Sequence, residues 1–488
     1  MNEKYNEMIN RSFFVNALKK PLTLFVSSRY IIYTLQFIRG IALAVILGPS
    51  LYGIWGSLLL VQAYLMYGTL GVEFALNVIL STEKKLEQKR IDQLVSTSIL
   101  VITIMSCILL ILGSYFQFGG IELFKEFRSS KYAILLSLFI ITSYFQQVFV
   151  NIYRFYGSLR KIVFVELISV CITIFPILFF STEALIYFML VSFIVSTMIG
   201  NIIYLVKAPF RIQFTWEVNT LSYILSLAIP LFIYNLTTNL MSLFVRTVVS
   251  VFYSIEALGF YTFAFNISNS IFLGLSAISW ALFPGLLSGM RDGIEDQEVV
   301  SFVHKTNNLY GNSAFMVVMV AIAASPLLFI YFPKYKPVLG LLGLLLISQG
   351  IGALALGYGS LIYSRKKIML MTLLNIAGVT TGISLSIGIA SFGILYVYVA
   401  LMVIVGQLVQ LLLFVQASSK LIKFNMNYWT LIGDLFSFGR VIAIISVVIG
   451  VVLDKPVILN LLGTGLYFIF DRKQIRKVYE FVIEHVRA

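Results

Sequence analysis

One pattern governs what this chain can become. Runs of about 20 apolar residues succeed one another from residue 22 to residue 470, and that is the length an α-helix needs to cross a bilayer. Fourteen such runs can be marked, near 22–47, 54–80, 94–115, 132–153, 163–181, 183–206, 225–252, 259–287, 309–331, 338–363, 369–390, 394–416, 431–453 and 456–470. In hydrocarbon every backbone N–H and C=O must be satisfied inside the segment, so runs of this kind are helices. Charged residues are 11% of the 488 and hydrophobic residues 59%, against about 25% charged in a soluble domain. A soluble enzyme is excluded, and the fold class is all-α, integral to the membrane.

Orientation follows from the cations. Of 35 Lys and Arg, 25 fall in the N-terminal tail and every second connection, 6 in the alternate connections, and four (Arg29, Arg39, Arg246 and Arg440) within spans. The positive-inside rule then places both termini in the cytoplasm. The net charge of +14 is largely this bias, with no nucleic-acid partner implied. The first run is too long for a signal-peptide core and no cleavage site follows it, so it is expected to stay. Connections such as 116–131 and 288–308 are too short for a catalytic domain, so no enzyme is expected. Cys107 and Cys171 lie in apolar runs, and His304 and His485 are the only histidines, too few for a histidine metal site. No Gly-Lys pair exists for a phosphate-cradling ATP loop. Neither cofactor nor metal is expected.

The chain repeats itself. Arg39 ends the first span and is followed by Leu47-Gly48-Pro49-Ser50-Leu51-Tyr52-Gly53-Ile54-Trp55; Arg246 ends the seventh and is followed by Leu258-Gly259-Phe260-Tyr261. Gly53 and Gly259 are 206 residues apart, Arg39 and Arg246 207. Six spans separate the copies, an even number that keeps their orientation, so the halves should be related by an axis along the membrane normal. The expected organisation is a cytoplasmic tail 1–21, a six-helix bundle 22–206, a cytoplasmic linker 207–224, a second six-helix bundle 225–416, two further helices within 431–470, and a basic amphipathic tail 471–488. In that last tail Ile475, Val478, Tyr479, Val482, Ile483 and Val486 follow helical spacing beside Arg472, Lys473, Arg476 and Lys477, the pattern of a helix lying on anionic lipid. The N-terminal tail, with Met8, Ile9, Phe13, Phe14 and Leu18, repeats it more weakly.

The 47–55 stretch, the basic tail and fourteen spans in two like halves resemble the polysaccharide-transport, O-antigen flippase (Wzx-type) branch of the multidrug/oligosaccharidyl-lipid/polysaccharide (MOP) exporters. The resemblance implies the MATE-like fold and a flippase that moves an undecaprenyl-diphosphate-linked oligosaccharide to the outer leaflet by alternating access. It also implies membrane lipids as surroundings, with a polysaccharide polymerase and a chain-length regulator as candidate partners. A cation-coupled drug antiporter and a lipid II type flippase share the architecture and stand as alternatives.

Arginine inside a span costs about 2.5–3.5 kcal/mol on insertion scales, so it faces a watery cavity or a partner. Arg39 and Arg246 from the two halves suit a diphosphate, whose oxygens fit guanidinium forks; the alternative is that each caps backbone carbonyls or pairs with a buried polar group. Arg29 and Glu73 lie at similar depth in spans one and two and are expected to pair, either as a structural lock or as a site where Glu73 takes a proton or sodium ion that couples transport. Asn235, one repeat from Arg29, and Asn239 stand one turn apart in span seven, as do Asn266 and Asn269 in span eight; such amides serve sugar hydroxyls or interhelical hydrogen bonds. Arg440, near the cytoplasmic end of span thirteen beside Asp434, is expected to snorkel. Tyr33, Tyr64, Tyr67 and Trp280 are candidate stacking platforms for sugars, and Pro230, Pro284 and Pro326 candidate bends.

Overall fold

The computed structural model describes residues 20–82, 87–120, 129–212, 217–290, 294–422, 432–433 and 435–486. The tail 1–19, residues 121–128 of the loop 116–131, Asp434 and the side chain of Trp280 lie outside these. Among the described residues eleven helices are long and apolar enough to cross a membrane, and three shorter apolar helices, Val72–Ser81, Phe438–Val452 and Pro456–Phe470, join them. The longest of the eleven, Ser28–Thr69, holds the first span and the opening of the second, which reconciles these elements with fourteen runs.

In order they are α1 (Lys20–Leu65), α2 (Val72–Thr82), α3 (Gln88–Phe118), α4 (Ala133–Phe155), α5 (Leu159–Phe179), α6 (Thr182–Leu205), α7 (Val218–Phe252) and α8 (Ile255–Gly289). Next come α9 (Asp296–Tyr331), α10 (Leu339–Ala353), α11 (Leu356–Ser364), α12 (Ile368–Ser391), α13 (Val397–Leu421), α14 (Phe438–Val452), α15 (Pro456–Phe470) and α16 (Arg472–Val486). α1 is two helices joined at Gly48, whose φ of 68° and ψ of 170° lie outside helical space. Glycine tolerates that backbone, and Pro49, lacking an N–H, suits the first turn of the second helix. The second span is broken as well: a 3-10 turn, Met66–Thr69, is followed by Leu70 (φ 54°) and Gly71 (φ 80°) before α2 begins.

The chain divides into two compact units. The first comprises Lys20–Leu236 with Ser254–Gly259. Here α5 packs on α6 and α1, and α4 on α3, α2 and α6, around fully buried Tyr144, Ile140, Val148 and Ile152. The stretch just after α6 is pinned at two residues: Gln88 and Tyr156 donate to the Pro209 carbonyl at 3.0 and 3.2 Å, and buried Asp92 accepts from the Arg211 N–H at 3.0 Å.

The repeat is visible inside this unit. A Cβ on Gly53 would overlap the carbonyl of Ile255, and a Cβ on Gly259 would overlap the carbonyl of Pro49. Pro49 and Ile255, like Gly53 and Gly259, are 206 residues apart. Each contact is therefore the image of the other, and two helix openings touch backbone to backbone through glycine.

The second unit comprises Thr237–Tyr253 with Phe260–Ala488. Its pairs are α12 with α13, α14 with α15, and α10 with α9, α13 and α14. α10 is buried along most of its length, as expected of a central helix with almost no polar side chain. On α16 Val478 is buried and the helix packs on α9, while Arg472, Lys473, Arg476 and Tyr479 are exposed; the side chains of Val482, Ile483 and Val486 lie outside the described ones.

Candidate functional site

In the first unit the three charged candidates have distinct surroundings. Arg29, on the opening half of α1, donates from Nη1 to Glu166 Oε2 at 2.6 Å, both side chains about a quarter exposed at 24% and 23%. The partner expected from depth, Glu73, is not the one used. Glu166 stands on α5, which packs along α1, and the helix neighbour decides the pairing. Arg39, ten residues along α1, donates to the Thr173 hydroxyl at 2.5 Å and lies over the Phe193 ring with 4.9 Å from guanidinium to centroid.

Glu73 opens α2 directly after the break in span two. It is 3% exposed, its Oε2 has no hydrogen-bond partner, and among the described residues it has no cation. The Thr69 hydroxyl lies beside it without the geometry of a hydrogen bond. Asn151 donates to the Glu73 carbonyl at 3.0 Å, and the Tyr144 hydroxyl donates to the Leu65 carbonyl that the break sets free. The break also packs on α7: a Cβ at Gly71 would collide with the Ala228 carbonyl, and Tyr67 meets Phe232 edge-on and reaches the Asn235 carbonyl at 3.4 Å. Asn235 itself donates to Leu231 of its own helix at 2.8 Å.

In the second unit Arg246 is 7% exposed. Its Nε donates to the Ser242 carbonyl at 3.3 Å, one turn back, and its guanidinium lies 4.6 Å from the Phe265 centroid, with buried Tyr261 close by. Asn239 is exposed and its carbonyl accepts from Ser242 at 2.9 Å. Arg440 does not snorkel. It is 1% exposed, donating to the Leu435 carbonyl at 2.6 Å and to Asn312 Oδ1, and stacked on Phe315. α14 packs on the second unit's core, so the end of this helix is covered by protein where a lone helix end would meet water.

Side chains that sequence reasoning misses include Glu166, Thr173 and Phe193, and a run of amides in the second unit. Gln349 donates to Asn269 at 2.7 Å, Ser348 to Gln407 at 2.7 Å, and Gln410 to Asn375 at 2.5 Å, which donates in turn to Thr238 at 3.2 Å. For Asn269 this is the interhelical hydrogen-bond role. A signal for Glu166 exists in the chain: it is an acid within the fifth apolar run.

Apolar helices long enough to cross a membrane, the first two spans broken at Gly48 and Gly71, carry these arginines. The model of the family described as "Polysaccharide biosynthesis protein" matches residues 42–310, more than half of the chain. The chain belongs to that family. Among solved structures it is similar to the lipid II flippase MurJ in an inward closed conformation, with 12% identity, 93% of this chain and 100% of that one covered, and a TM-score of 0.68. It is also similar to an inward-facing multidrug resistance MATE family transporter, with 17% identity, 81% and 96% covered and a TM-score of 0.58. An outward-facing MATE transporter matches at 13% identity, 82% and 94% coverage and a TM-score of 0.56. No curated protein sequence matches the chain. The fold is thus the one these flippase and MATE structures share, on a chain with eleven helices, among the described residues, long and apolar enough to cross a membrane.

Proposed function

We propose that this transporter flips an undecaprenyl-diphosphate-linked oligosaccharide repeat unit from the inner to the outer leaflet of a bacterial cytoplasmic membrane, by alternating access, with both termini cytoplasmic. The observation that supports this reading is the set of arginines, Arg29, Arg39 and Arg246, carried by spanning helices of a chain in the polysaccharide biosynthesis family. Guanidinium groups are the side chains best matched to a diphosphate. In this reading Arg39, Arg246 and Arg29 receive the diphosphate, Asn235 and Asn239 meet sugar hydroxyls, and Glu73 is the ion-coupling residue. The polymerase and chain-length regulator of the same surface polymer are its functional partners.

The test is the surface-polysaccharide profile of a deletion strain complemented with wild type, Arg39→Ala or Arg246→Ala, with membrane expression of each checked. Loss of polymer on deletion, accumulation of lipid-linked repeat units inside, and failure of both variants to complement are the expected results. Normal polymer together with lowered resistance to toxic cations would overturn the reading in favour of an antiporter, for which Glu73 is the residue to pursue.

A further inference from the structure

Within the second unit α10 packs on α9, α13, α14 and α15. Every residue from Leu341 to Ile351 is buried except Gln349, and Gly352, on the same helix face as Gln349 at three residues' spacing, is exposed. The opening falls where α10 carries its only polar side chains, Ser348 and Gln349. Gln349 Nε2 donates to Asn269 Oδ1 on α8, and Ser348 Oγ to Gln407 Oε1 on α13, both at 2.7 Å. Neither Asn269 nor Gln407 is buried. A Cβ added to Gly352 would have one atom within 4 Å, Gln407 Nε2 at 3.8 Å. Gln349, Gly352 and Gln407 therefore border one opening, with Asn269 at its edge.

α8, α10 and α13 follow the connections 253–254, 332–338 and 392–396, all of the sparsely charged set. The three amides stand 14, 10 and 10 residues beyond the helix starts, about 21, 15 and 15 Å in at 1.5 Å per residue. In a hydrocarbon layer of about 30 Å that is near mid-depth, where a polar side chain left open belongs to a watery or ligand-filled space. Each amide uses one bond on its neighbour and keeps further donors and acceptors. The set contains no charged side chain, so what it suits is neutral and able both to donate and to accept, as a hydroxyl is.

We propose that Gln349, Asn269 and Gln407 form a sugar-reading site in the second unit, where their amides take hydroxyls of the oligosaccharide headgroup and Gly352 leaves room for a sugar ring. The identity of the ligand rests on the flippase reading above. A repeat unit lacking one of these hydroxyls leaves an amide unpaired at mid-membrane, so the site selects among glycans by penalty as well as by attraction.

The first experiment distinguishes sugar contact from interhelical bonding. Replacing both partners of a hydrogen bond by apolar groups of similar shape is close to neutral for stability, so Asn269→Leu/Gln349→Leu is expected to melt near wild type. In the deletion strain it is expected to restore about tenfold less polymer, the effect of losing contacts to one or two hydroxyls. Full restoration would show that the amides serve only to join helices and overturns the proposal. Should the double variant melt early, Gly352→Leu, which fills the opening, is read instead and must show the same loss. The second experiment labels Gly352→Cys, in a Cys107→Ala/Cys171→Ala background, with a trimethylammonium methanethiosulfonate in membranes. Labelling is expected, and is expected to slow severalfold in cells whose lipid-linked repeat units accumulate for want of the polymerase, compared with cells that make none. An unlabelled cysteine, or one labelled equally in both, overturns the proposal. A deletion strain with normal polysaccharide would defeat the flippase reading, whereas polymer lost on deletion and fully restored by both variants would defeat the sugar-reading site alone.

Discussion

Arg440 and Arg39 are both arginines within apolar runs, and their partners separate their roles. Arg440 is sealed, and its removal leaves the Leu435 carbonyl and Asn312 without their donor. Arg440→Met is expected to lower the melting temperature of the detergent-solubilised protein by several degrees, from a loss of about 1–3 kcal/mol, with transport surviving in whatever protein folds. Arg39 is half-buried against Thr173 and Phe193. Arg39→Lys keeps the charge but not the fork, and in the complementation assay it is expected to restore polymer only partly, at wild-type expression. Which residues are charged within spans is legible from the chain; which ones meet is not. Depth matches Glu73, seven residues inside its run, to Arg29, but depth ranks partners only along the membrane normal. The choice of Glu166 is made by α5 packing beside α1, a contact between segments 137 residues apart. Snorkelling fails at Arg440 for a related reason: nearness to a helix end implies water only where no neighbouring helix covers that end.

The helices themselves are the most legible level, since twenty-residue apolar runs have one solution in hydrocarbon. Their interruptions are less so. The break at 66–71 is written as Gly68 and Gly71 in Tyr-Gly-Thr-Leu-Gly, yet two glycines in a span equally serve close helix packing. The same ambiguity is resolved at Gly53, where packing is the reason: the Ile255 carbonyl leaves no room for a Cβ. Gly53→Ala must push two helix backbones apart and is expected to cost about 1–3 kcal/mol, read as a lower melting temperature. Gly40→Ala, with nothing within 4 Å of the added Cβ, is the matched control and should be neutral or slightly stabilising on helix propensity. Equal effects of the two substitutions would remove the close approach as the explanation.

For the molecule as a whole, the prediction concerns sidedness. Alkaline phosphatase fused after the last residue is expected to be inactive and green fluorescent protein at the same point fluorescent, whereas phosphatase fused at Asp454, in the turn between α14 and α15, should be active. Reversed signals would invert the topology and with it the direction of transport. The 206-residue offset found in the chain survives as geometry in the exchanged contacts of Pro49 with Gly259 and of Ile255 with Gly53. Such reciprocity is the hallmark of an isologous interface, the kind that joins two identical subunits about a twofold axis. A half-length chain carrying one copy of the turn would meet its own twin through the same glycine and the same carbonyl. In the single chain each glycine is held to its size by a backbone carbonyl beside the other glycine.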